Sequence, residues 1–134
     1  MPGNNINKGS SSEMRLEDNV LFEDNHIIII NKQPSQIVQG DKTGDKPLSD
    51  IVKEYLKVKY HKAGDVFLGV VHRLDRPVSG AVIFARTSKS LTRLNALIKE
   101  RNIQKTYWAV VKNKPPKESD TLIDFLRRDE SKNK

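Results

Sequence analysis

Residues 69–80 read GVVHRLDRPVSG. The stretch begins at the end of an apolar run, Val66-Phe-Leu-Gly-Val-Val71, and is followed by a second, Ala81-Val-Ile-Phe-Ala85. Both runs have strand length and strand composition, so each predicts a buried β-strand. Between them stand His72, Arg73, Asp75 and Arg76, four titratable side chains within five positions. Pro77 and Gly80 close the connection and predict a rigidly held turn. A surface ion cluster is one reading of this chemistry. The other is a reaction centre, because loops fixed between buried elements are where reactive groups collect. Asp75 has arginines two residues before it and one after. If either reaches it, the carboxylate stays ionised even when partly desolvated. An ionised carboxylate among cations is a competent nucleophile or base, and the same cations suit a phosphate backbone.

Outward from this stretch the chain alternates strand and helix patterns. Asn19-Val-Leu-Phe-Glu23 reads as a short strand, Asp24-Asn25 as a turn, and His26-Ile-Ile-Ile-Ile-Asn31 as a strand covered on both faces. Leu48, Ile51, Val52, Tyr55, Leu56 and Lys59 follow helical spacing, with Asp45 placed to cap the helix and Pro47 in its first turn. Thr87 or Ser88 caps a second helix whose face carries Leu91, Leu94, Leu97 and Ile98. Lys105-Thr-Tyr-Trp-Ala-Val-Val111 predicts one more strand, and Thr121 to Arg128 the start of a further element. The order predicts an α+β fold, a mixed, largely antiparallel sheet with packed helices. From Lys112 onward nothing closes that sheet, so the core reads as incomplete at its C-terminal end.

The 134 residues suit a single domain. Residues 1–18 are mainly Asn, Ser, Gly and charge, and are expected to be a disordered tail before a domain spanning 19–134. That tail has neither the apolar region of a signal peptide nor an arginine-rich amphipathic pattern. The longest apolar run, Ile27 to Ile30, is too short to cross a bilayer. With no cysteine, disulfides and thiolate metal sites are excluded. The net charge is +7 and the sequence pI about 9.7, which suits polyanionic partners, nucleic acid first among them. Six basic residues (Arg86, Lys89, Arg93, Lys99, Arg101, Lys105) face one acid, Glu100, between positions 86 and 105. A solvated helix face would look the same.

Other motifs fall away. Gly40-Asp-Lys-Thr-Gly44-Asp-Lys46 is a residue short of a phosphate-binding loop, has Asp45 before its lysine and lacks the Ser or Thr for magnesium, so it reads as a polar turn. His26, His61 and His72 lack metal-ligand spacing, and there is no serine nucleophile elbow.

His72-Arg73-Leu74-Asp75 with Ser79-Gly80, followed by Phe84-Ala85-Arg86-Thr87, resembles the signature of RluA-type RNA pseudouridine synthases. Ile29-Ile30-Asn31-Lys32 resembles that family's early strand motif, Leu91 to Ile98 its following helix, and Lys105-Thr106-Tyr107-Trp108-Ala109-Val110 its later strand. The resemblance covers about residues 19 to 111. Gln33 intrudes before Pro34, Ser35 replaces a usual glycine, and Val78 a usual threonine. The resemblance implies an enzyme that detaches uracil from ribose, rotates it and rejoins it through carbon, without cofactor or metal. It implies Asp75 as the catalytic residue, Arg73 meeting RNA where the uridine leaves the stack, Tyr107 packing on the target base, and Arg76 and Lys105 among the RNA-binding cations. His72 is expected to shape the turn.

The expected partner is therefore ribosomal or transfer RNA, and the expected compartment the cytoplasm, with no membrane association; the oligomeric state is open. No stretch after Val111 resembles the later family motif whose arginine pairs with the aspartate. A fragment of a longer synthase is expected, or else Arg73 and Arg76 substitute. A truncated, non-catalytic RNA-binding module is the alternative.

Overall fold

The computed structural model describes residues 15–131, which divide into two units, one up to Gln104 and one from Lys105. The first unit holds all the regular elements: β1 (Val20–Glu23), β2 (Ile27–Lys32), α1 (Leu48–Lys59), β3 (Gly69–Val70), β4 (Gly80–Ala85) and α2 (Ser88–Lys99). The strands form one sheet in the order β1-β2-β4-β3, antiparallel in each pair. The α+β class is as expected. The central ladder runs from Ile27↔Ala85 to Lys32↔Gly80.

Strand periodicity sets the core. Ile28, Ile30 and Lys32 are buried on one face of β2, and the register brings Phe84 and Val82 beside the two isoleucines. Leu48, Val52 and Leu56 of α1 and Val38 of the preceding loop seal this face. Burying each such aliphatic side chain contributes about 1.5–3 kcal/mol. The other face is less covered than the unbroken isoleucine run implies, since Ile27 and Ile29 are only half-buried. There α2 approaches where Gly69 pairs with Ala85. A Cβ on Gly69 would come within 2.8 Å of Leu91 Cδ1, so the helix packs closely over this glycine.

The helix ends differ from each other. Thr87 caps α2 as expected, in a reciprocal capping box with Ser90. Asp45 does not cap α1. Pro47 takes the cap position, and the amides of Leu48 and Ser49 donate instead to the carbonyls of Ile37 and Val38 at 2.7 and 3.1 Å. Asp45 is drawn away by Arg76, as described below.

Other expectations need correction. The tail expected to reach residue 18 already forms a 3-10 turn over Leu16–Asn19, with Leu16 packed on the core; residues 1–14 lie outside the described residues. The strand expected over 66–71 is reduced to Gly69–Val70; past Val70 a side chain takes over its place on the ladder. Lys105–Val111 and Thr121–Arg128 carry no regular structure. Trp108, Val110, Phe125 and Leu126 are almost fully exposed. A strand pattern becomes a strand only when another backbone accepts its hydrogen bonds, and among the described residues none does so for Lys105–Val111.

Candidate active site

The connection from β3 to β4 is shaped from within. His72 Nε2 accepts a hydrogen bond from the Ile83 amide at 2.9 Å. Val70↔Phe84 is the last β3–β4 pair, so the imidazole occupies the acceptor position that a longer β3 would have filled with a carbonyl. The bond requires an unprotonated Nε2. Leu74 packs on the core, and the Val78 amide closes a turn onto the Asp75 carbonyl at 3.0 Å. Gly80, at φ 138°, enters β4 through a backbone conformation that disfavours side chains.

Lys32 holds the turn from below. It is fully buried at the end of β2, yet its ammonium finds three carbonyl acceptors: Gln33 at 3.1 Å, Arg76 at 3.0 Å and Val78 at 2.5 Å. Three protons meet three acceptors, which is the condition for burying an ammonium group. Burial pushes the Lys32 pKa down, the Arg76 charge adds to this, and the Asp75 carboxylate opposes it. The Arg76 carbonyl also accepts from the Ser35 amide at 2.9 Å. Ser35 stands at φ 74°, the left-handed region that favours glycine.

These contacts leave Arg73 and Asp75 exposed on the outside of the turn. No ion pair joins Asp75 to either neighbouring arginine among the described residues. Arg76 turns the other way. Its guanidinium donates to Asp45 at 2.8 Å, Asp41 at 3.2 Å, the Thr43 hydroxyl at 3.1 Å and the Ser35 carbonyl at 3.3 Å. Its bonds to Asp45 and then to Asp41 raise the Arg76 pKa further. Asp41 is lowered by the Thr43 hydroxyl and amide first and by Arg76 after them. The 41–45 segment, read from sequence as a polar turn, is thus fastened to the residue after Asp75.

Of the residues expected to form the site, Arg73, Asp75 and Arg76 share this turn, with Arg76 fastening a loop and only Arg73 and Asp75 presented outward. Lys105 and Tyr107 stand exposed in the second unit. Arg86, counted with a basic face, is mostly buried. It stacks over the Tyr60 ring at 4.6 Å, lies 3.8 Å from Glu23 and donates to the Asp24 carbonyl. Sequence reasoning gave Lys32 no task, although Ile28, Ile30 and Lys32 at alternate positions already placed it on the core face. Among the described residues no group of three or more His, Cys, Asp or Glu side chains is arranged to hold a metal ion.

Arg73 and Asp75 thus stand exposed, with opposite charges, on a turn braced from within. Residues 26–133 match the model of the RNA pseudouridylate synthase family. The chain belongs to this family. It is 33% identical over 119 residues to the ribosomal large subunit pseudouridine synthase C of Buchnera aphidicola from Schizaphis graminum, covering 89% of this chain and 36% of that protein. The Escherichia coli K12 protein of the same name is 37% identical over 97 residues, covering 72% of this chain and 28% of that protein. The mitochondrial pseudouridylate synthase RPUSD4 of Xenopus tropicalis is 28% identical over 117 residues, covering 87% and 36%. The chain thus spans about a third of the length of the curated relatives it matches. The fold is shared with human RNA pseudouridylate synthase domain containing 4, at a TM-score of 0.56 and 22% identity over 65% of this chain and 31% of that one.

Proposed function

We propose that this chain is the aspartate-bearing part of the catalytic domain of an RNA pseudouridine synthase, with Asp75 as the catalytic residue. The observation that carries the proposal is the Asp75 turn. It is braced by Lys32 and His72 through backbone atoms, while its own carboxylate is exposed and in no ion pair with a described residue.

The reaction is an isomerisation. The bond from uracil N1 to the ribose C1′ breaks, the base turns, C5 bonds to C1′, and the C5 proton passes to solvent as N1 regains one. Three roles are open to Asp75: attack on the sugar carbon, attack on the base, or stabilisation of a glycal-like intermediate. Each needs an ionised carboxylate beside the glycosidic bond. Arg73, also exposed, is the cation proposed to meet the phosphates around the displaced uridine. Tyr107 is proposed to supply the aromatic platform for the base, and Lys105 a phosphate contact. A phosphate contact by Arg76 would have to displace Asp41 or Asp45, so we give it the loop-fastening role first.

Large-subunit ribosomal RNA is the substrate to try first, since the two bacterial relatives carry it in their names, and transfer RNA the second. No helix of the described residues is long and apolar enough to cross a membrane. The cytoplasm is proposed as the compartment on the strength of the RNA substrate; one relative is mitochondrial by name, and fractionation distinguishes the two. The test is pseudouridine formation by the full-length protein on uridine-containing RNA. Asp75→Asn should lower turnover by several orders of magnitude, because covalent and electrostatic contributions both act through that carboxylate. Wild-type turnover in the variant would refute the assignment.

A further inference from the structure

The two helices of the first unit treat their charges differently. α1 carries Asp50 in its first turn and Lys57 and Lys59 in its last, the arrangement that suits the helix dipole. Its charges nearly balance within the helix, Lys53, Lys57 and Lys59 against Asp50 and Glu54, and Lys59 lies 2.9 Å from Glu23. α2 has no acidic residue anywhere in Ser88–Lys99, and Lys89 stands in its first turn, against the dipole. Lys89, Arg93, Lys99 and Arg101 are all exposed, and none forms an ion pair with a described residue.

Their placement is ordered. At 100° per residue, Lys89, Arg93 and Lys99 fall within an arc of roughly 120°, on the side away from Leu91, which faces Gly69. Arg101 follows at φ 58°, where it ends the helix: its amide donates to the Ile98 carbonyl and that of Asn102 to Leu97. This is the position where glycine is most favoured. Lys99 and Arg101 do suit the helix C-terminus electrostatically. Lys89 and Arg93 have no such stabilising role. A row of unpaired cations about 18 Å long, opposite the packed face, fits a polyanion with regularly spaced charges.

We infer that the outward face of α2, continued by Arg101, is an RNA-docking surface in addition to the Asp75 turn. That the polyanion is RNA rests on the pseudouridine synthase reading. Arg86 is outside the surface because Glu23, Asp24 and Tyr60 already hold it.

The test uses the 134-residue chain and a labelled RNA hairpin, titrated at several salt concentrations. The variant Lys89→Gln/Arg93→Gln/Lys99→Gln/Arg101→Gln removes the row. A control, Lys42→Gln/Lys53→Gln/Lys57→Gln/Lys62→Gln, removes the same charge elsewhere. Four phosphate contacts predict that the slope of log affinity against log salt falls by about 3, with binding at least roughly tenfold weaker at low salt, while the control loses distinctly less. Lys89→Ala/Arg93→Ala, two substitutions that favour helix, should give about half the change in slope. Equal losses in variant and control, or no RNA binding by the wild-type chain, overturn the inference. Pseudouridine formation by the full-length protein is scored separately. Its absence beside retained, α2-dependent binding would sink the enzyme reading and leave the docking surface standing.

Discussion

The two ends of β2 are built on opposite principles. At the Lys32 end, one buried ammonium gives its protons to three main-chain carbonyls, and the side chains of Arg73 and Asp75 are left pointing to solvent. At the Ile27 end, titratable side chains bind one another. The Glu23 carboxylate accepts from the Tyr55 and Tyr60 hydroxyls at 3.0 and 2.5 Å and from Lys59 at 2.9 Å, with Arg86 beside it. The Asp24 carboxylate meanwhile caps the hairpin through the amides of His26 and Ile27. One end is held largely through its backbone, and two of its charged side chains, Arg73 and Asp75, stay available. The other uses its side chains to fix the fold. An ion cluster in a sequence therefore does not reveal its task; what its partners are does.

The sharpest way to break this comparison is at Lys32. Lys32→Met leaves carbonyls of the turn without their donor in a buried place and should lower stability by about 3 kcal/mol or more, measured by urea unfolding. A loss below about 1 kcal/mol would mean that the turn is held by something else.

At the other end, Glu23→Gln should cost about 2 kcal/mol, since hydrogen bonds to a charged group are the stronger ones. It should also change the acid dependence. Burial works to raise the Glu23 pKa, but the bonds from Tyr60, Lys59 and Tyr55 outweigh it and leave it below the ordinary 4.5. A carboxylate lowered on folding stabilises above its unfolded pKa, and that contribution fades as pH falls through the folded value. Wild type should therefore lose stability on acidification below about pH 4.5 more steeply than Glu23→Gln. Parallel curves would remove Glu23 from its central place.

The smallest expected effect is a gain. Ser35→Gly relieves the φ of 74° beside the Arg76 carbonyl and should stabilise the chain by about 1 kcal/mol in the same unfolding measurement.

Periodicity made much of the fold legible. The two amphipathic helices, the apolar runs of β2 and β4 and the Thr87 cap follow from local rules, and they emerge close to where the residues place them. What was not legible depends on partners distant in sequence. Asp45 looks like a helix cap until Arg76, 31 residues on, competes for it. Lys105–Val111 has the composition of a strand, yet no described backbone completes its ladder. His72 was expected to shape the turn, and does so through an amide 11 residues away. The turn that carries Asp75 was legible as a motif between two apolar runs. The brace beneath was missed because a lysine at the end of an isoleucine run is ordinarily a surface residue.

The central claim is that the Asp75 end serves chemistry and the Glu23 end serves the fold. The most direct measurement is the rate of pseudouridine formation by the full-length protein carrying Asp75→Asn or Glu23→Gln, assayed side by side at a temperature where both are folded. The account predicts a loss of several orders of magnitude for Asp75→Asn and a rate close to wild type for Glu23→Gln. Comparable losses in the two variants, or a wild-type rate with Asp75→Asn, would contradict it.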